Sequence, residues 1–190
     1  VSPTVATNWA AGAISTTALV GSNILLSMCI PGPYTAVTKE INSQGFSGAH
    51  PLTIGVTITT GNTTGISHDG ILILGTSGRC GNLYLYITNT RKFAFGVQCN
   101  TDSDTPVTSG NKQAVANTSY TILCTYDGTT AKIYIDGALE GSATKNFDYN
   151  SITKVSVGIG HVSGGANNDE TYDFSGGGVI KDIKLYSHAV

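Results

Sequence analysis

The stretch Thr121-Ile122-Leu123-Cys124-Thr125-Tyr126-Asp127-Gly128-Thr129-Thr130-Ala131-Lys132-Ile133-Tyr134-Ile135-Asp136-Gly137 decides the fold class. Two alternating runs of β-branched, aliphatic and aromatic residues flank Asp127-Gly128, a pair that tolerates the positive-φ geometry of a tight turn, so the stretch predicts a β-hairpin. Asp136-Gly137 predicts the turn that follows. The same signature recurs outward in both directions. Short runs rich in Val, Ile, Tyr and Phe are bounded by Gly, Asn, Asp and Ser, and nowhere do apolar residues keep helical spacing over three turns. The predicted strands are 24–30, 51–59, 70–74, 83–88, 92–98, 118–126, 131–135, 154–159 and 178–186. Such a series suits an all-β sandwich of two antiparallel sheets.

Upstream, Leu83-Tyr84-Leu85-Tyr86-Ile87 and Phe93-Ala94-Phe95-Gly96-Val97 predict a second hairpin through Asn89-Thr90-Arg91. A three-residue loop sets Leu85 against Phe95 and Ile87 against Phe93, which shares the core face between them and turns Tyr84 and Tyr86 outward. A two-residue loop instead sets the tyrosines against the phenylalanines, and both registers fit the sequence. Cys80 and Cys99 flank this hairpin and can bridge it if the chain bends at Gly81, which leaves Cys29 with Cys124 by elimination.

Composition excludes several classes. Only 12% of the 190 residues are charged, the formal net charge is −2, and the ten Lys and Arg are scattered singly, so no basic field exists to hold nucleic acid. The longest apolar run, 24–30, is far short of a membrane-spanning helix, so no membrane insertion is expected. Four cysteines without a C-x-x-C pair argue against zinc. With the sequons at Asn62 and Asn117, they point to an oxidising, extracellular setting in which the protein is secreted or displayed on a surface. A chain that starts at Val1 without a leader is expected to be a mature product or a piece of a larger protein.

The segment TYDGTTAKIYIDGALEGS, the later Val157-Gly158-Ile159-Gly160, and Phe174-Ser175-Gly176 leading into Ile180-Lys181-Asp182-Ile183-Lys184-Leu185-Tyr186 resemble the central hairpin and closing strand of laminin-G-like and pentraxin-like domains. The resemblance covers about residues 48–188 and implies a single jelly-roll sandwich of the concanavalin A-like type over 1–190. Residues 1–47 match it only as an edge strand and an irregular Pro-containing segment. The family implies recognition of glycans, glycoproteins or protein receptors, often with calcium held in loops at the rim.

Fold alone does not choose among lectins, adhesion modules and glucanases. A retaining glycosidase needs two carboxylates about 5 Å apart, carried in enzymes of this fold on an E-x-D-x-x-E strand. Glu40, Glu140 and Glu170 do not begin that motif, and Glu140 reads as a solvated loop charge. No G-x-S-x-G accompanies the four histidines. Binding without catalysis is therefore expected. Carbohydrate sites stack an aromatic ring on a sugar face and surround it with polar groups. Tyr84, Tyr86, Tyr149, Tyr172, Asn167 and Asn168 are the candidates, against the plainer reading of the tyrosines as structural cover. Asp169 and Asp173 in the same loop, with Asp102 and Asp104, supply the densest oxygen ligands for calcium, although Asn/Asp runs beside Gly are also ordinary solvated turns. Asp127 is explained by its turn.

Overall fold

The computed structural model describes residues 15–18, 23–27, 37–40, 48–61, 69–75, 81–97, 106–149, 152, 154–157, 178–186 and 189, with the backbone path alone for the strands before residue 48 and for 154–156. Thirteen strands are described: β1 (Ser15–Ala18), β2 (Asn23–Ser27), β3 (Val37–Glu40), β4 (Leu52–Thr59), β5 (Asp69–Gly75), β6 (Leu83–Ile87), β7 (Lys92–Val97), β8 (Val107–Gln113), β9 (Ser119–Tyr126), β10 (Thr130–Ile135), β11 (Ala138–Thr144), β12 (Lys154–Val157) and β13 (Val179–Tyr186). They form a seven-stranded sheet in the order β1-β2-β13-β4-β9-β10-β11 and a six-stranded sheet in the order β3-β12-β5-β6-β7-β8, all pairs antiparallel. This is the expected jelly-roll sandwich.

The two hairpins that suggested the fold are formed. In the first, Tyr126 pairs with Ala131, and Asp127 caps the turn by accepting N–H bonds from Thr129 at 2.9 Å and Thr130 at 2.7 Å on Oδ1. Asp136 and Gly137 both take positive φ, 53° and 83°, as a two-residue hairpin turn requires. In the second hairpin Leu85 faces Phe95 and Ile87 faces Phe93. The Arg91 N–H donates to the Thr88 carbonyl, the Thr88 N–H to that of Lys92, and Arg91 sits at φ 62°, so the loop has three residues.

Alternation builds the core. From β4 come Leu52, Ile54, Val56 and Ile58; from β9 Tyr120, Ile122, Cys124 and Tyr126; from β6 and β7 Leu83, Leu85, Ile87, Phe93, Phe95 and Val97. Edge-to-face contacts link Phe95 to Phe147 (5.4 Å) and Phe93 to Tyr120 (5.0 Å) across the sandwich. Four strands were not expected. β8 (VTSGNKQ) and β11 (ALEGSAT) lack an alternating apolar set because they are sheet edges that meet each other, while β1 and β3 are four-residue pieces. The β8–β11 approach closes one side of the sandwich: a Cβ on Gly141 would lie 2.2 Å from the Thr108 carbonyl oxygen.

Cys124 is a free thiol, fully buried in β9. The expected Cys29–Cys124 bridge is thus corrected. Cys29, Cys80 and Cys99 themselves, and with them the Cys80–Cys99 pairing, lie outside the described residues.

Candidate functional site

Tyr84 and Tyr86 point away from the core, as the three-residue loop requires, yet they are not a stacking platform. Tyr84 is 1% and Tyr86 7% exposed, and they pack with Ala94 and Ile73 as a second apolar cluster on the outer face of the six-stranded sheet. Their rings lie 5.3 Å apart, tilted by 50°. The reason is local. Gly96 stands opposite Tyr84 in the register, and a Cβ there would fall 2.6 Å from the Tyr84 Oη and 3.3 Å from the Cα of Pro106. The missing side chain is the space the ring occupies. Tyr149 is likewise buried, and its hydroxyl donates to the His50 carbonyl at 2.7 Å. Burial pushes that phenol up from its ordinary range. The other expected ligands, Asn167, Asn168, Tyr172, Asp102, Asp104, Asp169 and Asp173, and the sequon at Asn62, lie outside the described residues, and with them the calcium expectation. Asn117 is exposed on the turn before β9 at φ 53°. Glu140 is not a free loop charge, since its carboxylate accepts the Lys112 N–H across the closed edge at 3.2 Å.

The opposite face of the sandwich presents a groove of about 380 Å³ along β4, in the middle of the seven-stranded sheet. Its floor is the outward set Thr53, Gly55 and Thr57, and β13 supplies one wall with Asp182, Lys184 and Tyr186. β9 supplies the other with Thr121 and Leu123. The depth comes from Gly55, whose absent side chain leaves a gap between the Leu123 Cδ1 and Lys184 Cβ atoms, each 3.7 Å from where a Cβ would stand. From Thr53 to Thr57 the trough runs about 13 Å along the strand. Thr53 is buried at one end, next to half-buried Tyr186, its partner in the register. The other end is exposed and polar.

A bulge in β13 aims this wall. Lys181 pairs with Thr57 and Lys184 with Gly55, so Asp182 and Ile183 together oppose Val56, and Asp182 takes φ 55°. The extra residue shifts the alternation. Ile180 faces the core, Lys181 and Asp182 both face out, and Ile183 and Leu185 return to the core, which leaves Lys184 and Tyr186 outside. Uninterrupted alternation after Ile180 would have put Asp182, Lys184 and Tyr186 into the core. Among the described residues, the hydroxyls of Thr57 and Thr121, the Asp182 carboxylate and the Lys184 ammonium have no partner. The groove thus pairs an aromatic end with unengaged donors and acceptors over a recessed floor, the makeup of a preformed small-molecule site. Sequence reasoning missed it because the bulge that re-phases β13 leaves only a lone Asp between two alternating pairs.

A family model described as the concanavalin A-like lectin/glucanases superfamily, of laminin-G type, matches residues 36–190. No curated protein matches the chain in sequence. Solved structures share its fold at low identity. A structure of botulinum neurotoxin type C, in work on its dependence on two ganglioside molecules for cell entry, is 14% identical with a TM-score of 0.60, covering 95% of this chain and 42% of that one. The sialidase CBM40 of Ruminococcus gnavus, bound to α2,3-sialyllactose, is 18% identical with a TM-score of 0.55, covering 80% and 90%. Domains LG4-5 of the mouse laminin α1 chain are 16% identical with a TM-score of 0.56, covering 84% and 42%. The chain spans about two fifths of the neurotoxin chains it matches, 38%, 42% and 41% of their lengths. With the family match extending from β3 to the end of the chain, and the two antiparallel sheets of the sandwich in place, the chain belongs to the concanavalin A-like lectin/glucanases superfamily.

Proposed function

We propose that this protein is a non-catalytic, extracellular glycan-binding module that holds an oligosaccharide in the groove along β4. The observation that carries the reading is the gap at Gly55, bordered by Tyr186 and by the unpartnered polar groups of Thr57, Thr121, Asp182 and Lys184. A sugar offers an apolar ring face and a rim of hydroxyls, and the groove offers an aromatic side chain and separated donors and acceptors to match them. Asp182 is the one carboxylate among the described groove residues, so the second acid that a retaining hydrolase needs is not supplied from them. Fold neighbours that engage gangliosides or sialyllactose add support from the same architecture. The test is a glycan array probed with the native protein and with Gly55→Val. The reading requires that the native protein bind a defined set of glycans and that the variant, still folded, lose that set. Retained binding by the variant would move the site elsewhere.

A further inference from the structure

We propose that the groove selects glycans bearing an acidic group, a carboxylate or a sulfate ester, with Lys184 as the residue that reads the charge. This deepens the proposed glycan-binding function and rests on it. The chain carries a net charge of −2, yet the described strands β4, β9, β10 and β13 carry three lysines and one carboxylate, all on the outward face. Lys132, Lys181 and Lys184 stand there against Asp182, and Asp127 in the turn between β9 and β10 lies close enough to Lys132 to interact with its charge. Asp136, at the end of β10, is already engaged by the Thr121 N–H and by the Lys112 ammonium at 3.5 Å. Neither Lys181 nor Lys184 has an ion-pair partner among the described residues. Asp182 lies two residues from Lys184 on the same strand without pairing to it, so the two charges remain available separately.

Their positions assign different tasks. Lys184 stands beside the Gly55 gap, in the middle of the trough, where its Cβ would be 3.7 Å from a Cβ on Gly55. An anionic substituent on a sugar seated against Tyr186 would meet this ammonium at the recessed point of the floor. Lys132 lies in the same cross-strand row as Thr125, Thr53 and Tyr186, so it adds positive potential at the aromatic end, offset in part by Asp127 in the turn before β10. Lys181, opposite Thr57, does so at the polar end. Asp182 is an acceptor for sugar hydroxyls, and its carboxylate repels an acidic group at that end, which sets the direction in which the ligand lies. The bulge puts both charges on the groove side of β13, so charge selection depends on the single extra residue in that strand.

The experiment uses the native chain and Lys184→Gln on an array of neutral oligosaccharides, each printed beside its sialylated, uronate-containing and sulfated counterparts, at low and physiological salt. Selection by Lys184 predicts that acidic members bind at least tenfold more tightly than their neutral parents. The preference weakens with added salt and collapses toward unity in Lys184→Gln. The carboxylate and sulfate arms identify which acid is read. Equal binding of neutral and acidic members, still abolished by Gly55→Val, would overturn charge selection and leave the groove as the glycan site. Binding unaffected by Gly55→Val, or no binding at all, would overturn both.

Discussion

Replacing Gly55 by valine separates stability from binding, because the structure predicts opposite signs for the two. Gly55 lies in the centre of β4 between Leu123 and Lys184, and it is not among the positive-φ residues. An added Cβ meets its nearest side-chain atoms at 3.7 Å, ordinary van der Waals contact. Glycine within a strand costs roughly 0.5–1 kcal/mol relative to alanine, and a β-branched residue is preferred there, so the variant should gain about 1 kcal/mol. For a chain of this length that raises Tm by about 2–4 °C in a thermal-shift measurement. The same branched side chain fills the recess, so affinity for whatever the native protein binds should fall at least tenfold, about 1.4 kcal/mol. Gly96→Ala is the contrasting control. Its Cβ would lie 2.6 Å from the Tyr84 Oη, and the forced repacking should cost about 1–3 kcal/mol with the groove untouched. A Gly55→Val protein that is more stable yet binds as tightly as the native one would refute the groove as the site.

Three further outcomes test the architecture around it. Tyr126→Phe should lose about 1–3 kcal/mol in denaturant unfolding, because the buried Tyr126 hydroxyl donates to the Gly128 carbonyl at 2.8 Å and accepts the Phe147 N–H at 3.1 Å, and the latter is left without a partner. Asp127 is held below the usual carboxylate range, chiefly by the N–H bonds from Thr130 and then Thr129. Because its folded pKa is the depressed one, its contribution is present above the unfolded value and is lost as pH falls below about 4, so Asp127→Ala should flatten the acid limb of the stability profile. Burial pushes the Cys124 thiol far up. It should resist a thiol reagent in the native state and react only on unfolding, whereas rapid native-state labelling would contradict its place in the core.

Legibility of the fold followed local chemistry. Asp127-Gly128 and Asp136-Gly137 declared their turns because those residues are needed where φ is positive or a side chain must cap the bend, and the strands between them alternate cleanly. The register through Asn89-Thr90-Arg91 could not be read, since Arg91 takes at φ 62° the conformation that glycine would advertise. β8 and β11 were hidden because their packing is of backbone on backbone, at Gly110 and Gly141, with few apolar side chains to mark it. The side on which Tyr84 and Tyr86 lie stayed open with the register, and their burial was not legible because alternation reports facing and says nothing of what lies on that face. The groove depends on Gly55 lying between Leu123 and Lys184 and on the phase shift at Asp182, both of which exist only once three strands are laid side by side.

Backbone amide chemical shifts followed by NMR during titration with an array-selected glycan measure the site directly. The account predicts that the largest perturbations fall on Gly55, Thr57, Thr121, Leu123, Asp182 and Lys184, with Tyr84 and Tyr86 unmoved. Perturbations confined to residues 167–173, or to the Tyr84–Tyr86 face, would contradict it.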